Sequence, residues 1–528
     1  MTSIRRKIAP GAPTVVIGGG LAGMTAALRI AGRVPVVIVT KAALGEGSTQ
    51  WAQGGIAAAV GPGDSVEAHV RDTLDAGAGM GDAGTARAVC GDAPGLIAEL
   101  ECLGVRFDRA GVALALAREG AHSLPRVVHA GGDETGRHVA AALARAVHAH
   151  AGIRVVEHAA VRDLVTGDTG VHGVRLEDGE AIAARAVILA TGGSGHLFAR
   201  TTNPAGATAD GPALARRAGA ALADLEMVQF HPTALAVGPS PLALVSEAVR
   251  GAGGMLYDRA GEPVMAGVHP MGDLGPRDVV ARAVFRRARE TGADVVMSLA
   301  HLNPERVHAR FPGVAALCAA HGIDLARDPV PVTPAAHYAM GGVLTDLDGR
   351  TTVPGLWAVG ECGCTGLHGA NRLASNGLLE AAALGRRAAD AVADGDRTPA
   401  PGPRADPAPL AVGDADGATV RAAVGRIMWD DCGLERDACG LESAALELEA
   451  LPRPADAGTA GLREVAQLVV RAAMAREESR GAHHRSDFPD PDPAGPTRTC
   501  WAGDLPFPVP TTTPVPAARP SIDLTEVA

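Results

Sequence analysis

Residues 14–32 read TVVIGGGLAGMTAALRIAG. The first four are a run of β-branched residues with no charged break, the pattern of a short strand buried on both faces. Three glycines follow, then an alanine-rich run with helical spacing. Residues 34–41, VPVVIVTK, form a second buried strand. The two strands and the helix between them make a βαβ start, with G-x-G-x-x-G at Gly18, Gly20 and Gly23 around Gly19, Leu21 and Ala22. Such glycines permit a tight turn and close backbone approach to a pyrophosphate. The free N–H groups of the helix start favour the same anion. The acidic residue that usually ends the second strand and binds a ribose is replaced by Thr40-Lys41. That counts against a simple NAD enzyme.

Two later segments point to a flavin dinucleotide. AVILATGGSG, 186–195, is a buried strand ending in glycines. GLWAVGECGCTGLHGANRLASNGLLEAAALG, 355–385, is a strand, a Gly-Glu, a glycine-rich loop and a helix. Glu361 can accept a hydrogen bond from a ribityl hydroxyl. A helix starting near Gly377-Leu378 can aim its N–H groups at the polar end of an isoalloxazine ring. The three motifs in this order predict FAD held by both ends of a discontinuous domain.

The predicted fold class is α/β: a discontinuous Rossmann-like FAD-binding domain (1–224 and 339–400) with an inserted α+β capping domain (225–338). A linker (401–418), rich in Pro, Ala, Gly and Asp, leads to a C-terminal helical domain with an extended tail (419–528). Helical periodicity runs from about Thr419 to Arg480. The hinges of the capping domain are expected near residues 225 and 338.

The chain has 528 residues, too many for one core. It has 48 basic against 59 acidic residues, net −11, which disfavours nucleic acid as a partner. Eight cysteines are scattered and only Cys362/Cys364 are close, so no metal site is expected and a reducing cytoplasm is. The start, IRRKIAPGAPTVVIGGGLAGMTAAL, carries Arg5-Arg6 and then no charge from Ile8 to Leu28. Its glycine density argues against an export signal. No segment is long and apolar enough to suggest a membrane span.

One early loop, LGEGSTQWAQGGIAAAV (44–60), is built of small and amide residues. Together with FHPTAL, PRDVVARA, TPAAHYAMGGV, GLHGANRLASNGLLE and MAREESRGAHHRSDFP, its STQWAQGGIAA resembles the succinate dehydrogenase/fumarate reductase flavoprotein superfamily, and within it the aspartate-oxidising branch. The resemblance spans nearly the whole chain in order. It implies that the loop wraps the FAD, with Gln53, Gly54 and Gly55 meeting the flavin. Membrane-bound relatives carry a histidine there that bonds covalently to the flavin. This chain has Ser48, a poor nucleophile without a base, so dissociable FAD is expected, one per chain. The implied FAD contacts are Gly19 to Ala22, Lys41, Ser48, Thr49, Gln50, Trp51, Ala52, Gln53, Gly54, Gly55, Ala160, Val161, Asp210, Glu361, Gly377 and Leu378. Lys41 would partly replace the missing ribose acid. Gly377 stands where the family commonly has serine.

The substrate implied is a small dicarboxylate with one carbon facing the flavin, so two anionic groups must be clamped. Arginine forks match carboxylates. The resemblance assigns Arg372 and His337 to one carboxylate. His231 and Thr233 belong to the binding set, with Ser246 and Glu247 near the other carboxylate. Arg277 is implied to shuttle a proton in fumarate reduction, despite a guanidinium pKa above roughly 12, or only to orient an amino-acid substrate. Glu119 is implied to face the substrate's ammonium. A carboxylate there would repel succinate. The expected activity is oxidation of L-aspartate to iminoaspartate, with oxygen or fumarate as acceptor, at the start of NAD biosynthesis through quinolinate. A transient contact with quinolinate synthase is compatible with so hydrolysable a product. The alternatives are a soluble fumarate reductase or succinate dehydrogenase flavoprotein, and a non-catalytic or RNA-modifying flavoprotein.

Overall fold

Thr14–Ile17 lies in the middle of a five-stranded sheet. The order is Leu356–Ala358, Ala186–Leu189, Thr14–Ile17, Val36–Val39, Ile153–Val156, and every pair is parallel. Thr14 is in register with both Val36 and Ala186. The strands Thr14–Ile17, Val36–Val39 and Ala186–Leu189 are buried along their whole length, as their unbroken apolar runs require. The computed structural model describes residues 11–395 and 397–510. The readings made of Arg5-Arg6 and of the last part of the tail, 511–528, lie outside the described residues.

The sheet shows why the glycines stand where they do. Gly18 has φ +118° and a Cβ there would collide with the Ala190 carbonyl. A Cβ on Gly23 would collide with the Gly18 carbonyl, so this residue serves helix–strand packing. The strand Leu356–Ala358 returns to the same sheet after a long excursion. The helix that follows, Asn376–Ala393, packs on Leu21–Ile30, where Gly385 meets the Ala22 backbone.

The excursion includes an antiparallel sheet in the order Val228–Leu235, Val330–Ala339, Val295–Ser298, Met255–Tyr257. Arg277–Thr291 packs across it, and Val249, Val280, Val284, Met297 and Phe311 share a separate apolar cluster. Val228 pairs with Ala339, so the two connections to the rest of the chain lie side by side. The strand Val330–Ala339 runs unbroken through position 338.

Three helices follow, Gly417–Asp431, Ala438–Ala450 and Ala457–Ala475. Asp416, Asp437 and Asp456 cap them, each accepting a backbone N–H. The segment before them is tied to the body, with Ala405 and Ala408 donating to the Gly219 and Arg217 carbonyls. The described part of the proline-rich tail is extended backbone in paired strands. Thr497–Ala502 and Leu505–Pro510 form a hairpin that joins the sheet of Leu222–Ala223. Pro506, Pro508 and Pro510 alternate along the outer strand, so the missing N–H groups fall on its unpaired edge. Among the described residues no helix is long and apolar enough to cross a membrane.

Candidate active site

A cavity of about 1140 Å³ runs from the glycine turn of the parallel sheet to the antiparallel sheet of the inserted region. That exceeds the usual range for small ligands, roughly 300–1,000 Å³, and suits a dinucleotide plus a small substrate. Every site residue expected from the sequence lines it except Gly23, Ala160 and Thr233. Ala159 and Val161 flank Ala160 on the wall. Thr233 lies behind His231: its hydroxyl donates to the Val245 carbonyl and its N–H to His231 Nδ1, 3.2 Å away.

One half of the cavity is glycine-lined and includes Gly18 to Gly20, Ser48 to Gly55 and Gly192-Gly193. Leu21 N–H donates to Thr49 Oγ1 at 3.0 Å, which fastens the early loop to the first helix. Lys41 is already engaged: it donates to the Gly206 carbonyl and Thr208 Oγ1 and pairs with Asp210 at 2.7 Å. This joins two expected cofactor residues on the cavity wall. Glu361 Oε1 accepts the Ala339 N–H at 3.0 Å. Burial lifts its carboxyl to about 7. Ser375, at φ +60°, precedes the helix Asn376–Ala393, whose first turn contributes Gly377 and Leu378 to the wall. A Cβ on Gly377 would press on Tyr338 and Arg372, so a serine here would crowd the arginine. The glycine cradle, the free helix start and the buried Glu361 fit FAD. When bound, that group supplies a hydride acceptor.

The other half is charged. Arg277 donates from Nε to Glu247 at 2.6 Å and from Nη1 to Gln229 at 2.9 Å. Arg250 also pairs with Glu247, at 3.1 Å. Glu247 is therefore committed to two guanidiniums and holds Arg277 in place. Arg372 stacks 4.3 Å over the Tyr338 ring, and its Nε has no partner among the described residues. Burial, and then Arg277, bring Arg372 down to about 10. Two buried guanidiniums that disfavour each other's charge are relieved by an anion placed between them.

His231 and His337 face each other with ring centroids 5.0 Å apart. Burial, and then Arg277, hold both well below the ordinary imidazole range, so they are neutral at pH 7. Because His231 Nδ1 accepts the Thr233 N–H, its proton sits on Nε2, a buried atom with no partner. That N–H is available to an anion. His337 Nδ1 is held by Thr202 Oγ1 at 2.7 Å.

Glu119 closes the site from a third direction. Ser375 Oγ donates to its Oε2 at 2.7 Å, and its Oε1 is buried without a partner. No sequence pattern marks Ser375, Gln229, Thr202 or Tyr338. Their contacts span 42 to 256 positions, which no local pattern encodes.

The FAD binding domain family matches residues 14–378, and the fumarate reductase flavoprotein C-terminal family matches 455–502. The chain is 46% identical over 524 residues to L-aspartate oxidase of Streptomyces coelicolor, covering 91% of this chain and 89% of that protein. It is 47% identical over 488 residues to L-aspartate oxidase of Agrobacterium fabrum, covering 91% and 92%. Among solved structures, E. coli quinol fumarate reductase superimposes with TM-score 0.85 at 28% identity, covering 97% of this chain and 98% of that one. A quinol-fumarate reductase with menaquinol molecules gives TM-score 0.86 at 29% identity, covering 97% and 99%. Glycine cradle, paired guanidiniums and the lone carboxylate thus sit in a chain that belongs to the L-aspartate oxidases, within the succinate dehydrogenase/fumarate reductase flavoprotein superfamily.

Proposed function

We propose that this protein is an FAD-dependent oxidoreductase that converts L-aspartate to iminoaspartate. Arg372 and His337 hold one carboxylate. Arg277, His231 and Ser246 hold the other. Glu119 takes the ammonium, and this is the observation that carries the reading: in the half of the cavity that holds Arg277, Arg372, His231 and His337, Glu119 is a carboxylate not paired to arginine, with one buried oxygen left without a partner. Bound FAD would accept the hydride from the α-carbon. Arg277, fixed by Glu247 and Gln229, orients the substrate and serves as the proton donor when fumarate is reduced. Oxygen or fumarate reoxidises the flavin, which is held without a covalent bond. The product would enter NAD biosynthesis in the cytoplasm, and its ready hydrolysis favours direct passage to quinolinate synthase.

The test is anaerobic bleaching of the flavin by L-aspartate and, separately, by succinate. Aspartate should bleach rapidly and succinate slowly. A charge-assisted bond is worth about 1.5–3 kcal/mol, so Glu119→Gln should lower kcat/KM for aspartate roughly tenfold to hundredfold. Bleaching by succinate alone would make the protein a succinate dehydrogenase-type enzyme instead.

A further inference from the structure

Oxidation of an amino acid must dispose of a proton as well as a hydride. The substrate arrives as HCα–NH3⁺ and leaves as C=NH2⁺. The C–H bond breaks and its electron pair goes to the flavin. One N–H bond breaks and its proton goes to a base. The nitrogen lone pair then forms the C=N bond. The base must face the ammonium and needs an outlet, because a buried carboxyl that kept the proton could not serve the next turnover.

Most of the charged wall is already engaged. Glu247 is paired with Arg277 and Arg250, Asp210 with Lys41, and Glu134 with Arg137. Asp133 accepts the Gly313 and Val314 N–H groups. Glu361 takes the Ala339 N–H in the cofactor half. Glu119 remains, with Oε2 on Ser375 and Oε1 without a partner.

The imidazoles sort in the same way. His122 uses Nε2 on the Ala374 carbonyl and Nδ1 on Arg126. His231 and His337 each commit Nδ1, to the Thr233 N–H and Thr202 Oγ1. His129 differs: both ring nitrogens are buried and neither has a partner among the described residues. Its Nε2 is 3.8 Å from Glu119 Oε1, and its side chain is 13% exposed. His129 is not part of the cavity wall and meets it through Glu119. Two facing orphan groups, each desolvated with no compensating bond, are unusual in a folded interior. A small rotation of the Glu119 carboxylate brings the pair into hydrogen-bond reach.

We propose that His129 is the outlet for the substrate's proton: Glu119 takes the proton from the ammonium and hands it to His129 Nε2, and the ring, whose nitrogens are covered in this structure, gives it to water when the site opens for product release. The inference rests on the reading of this site as an L-aspartate oxidase. His129 is a positioning and relay residue that acts through Glu119.

The experiment uses the holoenzyme and its His129→Gln and His129→Phe variants. Stopped-flow bleaching by L-aspartate gives the limiting rate. The flavin spectral shift on adding α-methyl-L-aspartate, which has an ammonium but no α-hydrogen, gives binding without turnover. Reoxidation of the dithionite-reduced enzyme by fumarate gives a reaction with no ammonium. General acid–base groups typically contribute 10²–10⁴-fold, and a relay behind the base less, so the limiting rate should fall about tenfold to hundredfold. The loss should shrink at alkaline pH, where substrate arrives with a neutral amine. Binding of the analogue should persist in both variants, and reoxidation by fumarate should fall far less than bleaching by aspartate. A limiting rate unchanged in both variants would overturn the proposal. So would an equal fall in the aspartate and fumarate reactions, which would make His129 a support for the wall. Wild-type enzyme that aspartate fails to bleach would overturn the functional reading and the outlet together.

Discussion

Glu361 shows what burial does to a single side chain. Its carboxyl is lifted from an ordinary 4.5 to about 7 by desolvation. The folded protein therefore holds a proton in a window where the unfolded chain has lost it. That contribution to stability is complete below the unfolded pKa and is lost as pH rises through about 7. The slope from this one group is at most about 1.4 kcal/mol per pH unit. Urea unfolding of the flavin-free protein at several pH values across that window should show stability falling with pH, and Glu361→Gln should flatten the fall. Parallel curves for the two proteins would contradict the assignment. Arg372 and Arg277 were expected from the family resemblance, and both line the cavity. Tyr338, stacked under Arg372, was not, because nothing in PAAHYAMGG indicates which ring a distant guanidinium covers.

At the scale of elements, the glycine turn and the C-terminal hairpin behave oppositely. The turn was readable because its glycines stand at motif spacing within one βαβ unit, where Gly23 answers a local collision with the Gly18 carbonyl. The hairpin was not, since Leu222–Ala223, the strand it joins, lies far away in the sequence. A buried cluster of charges fastens the region before the hairpin. Arg476 donates from Nε to Glu226 at 2.6 Å and pairs with Glu478 at 2.8 Å. Arg498, on the hairpin itself, pairs with Asp224 at 2.7 Å. Removing one partner from a buried pair strands the other charge and costs about 3–5 kcal/mol. Arg476→Ala should lose about that much in denaturant unfolding. A loss of only a few tenths of a kcal/mol would mean that water reaches Glu226 when the arginine is gone.

In the whole molecule, the cavity is bounded by segments from both sides of the inserted region and by the inserted region itself. Asp133 ties them together by accepting the first N–H groups of the helix Pro312–Ala319, at 3.0 Å from Gly313 and 2.7 Å from Val314. A ligand filling this space binds only the folded form, and at a hundred times its Kd it adds about 2.7 kcal/mol of stability. The melting temperature should therefore rise with added FAD. Acid precipitation should leave the yellow colour in the supernatant, since Ser48 stands where covalent relatives carry histidine. Colour retained in the pellet would contradict dissociable FAD.

The sequence by itself determined the parallel sheet, the glycine turn and the flavin dinucleotide, and the family resemblance named arginines and histidines that the fold brings to one cavity. Those features are local: a strand run, a turn that admits no Cβ, or a residue type whose chemistry is unmistakable. The tertiary structure decided which of these groups are free to act. It turned Lys41 onto Asp210, committed Glu247 to two arginines, moved Thr233 behind His231, and placed Ser375 and His129 on either side of Glu119. Each outcome depends on pairings between residues far apart in the chain. Burial sets their strength, and a linear pattern carries no record of it.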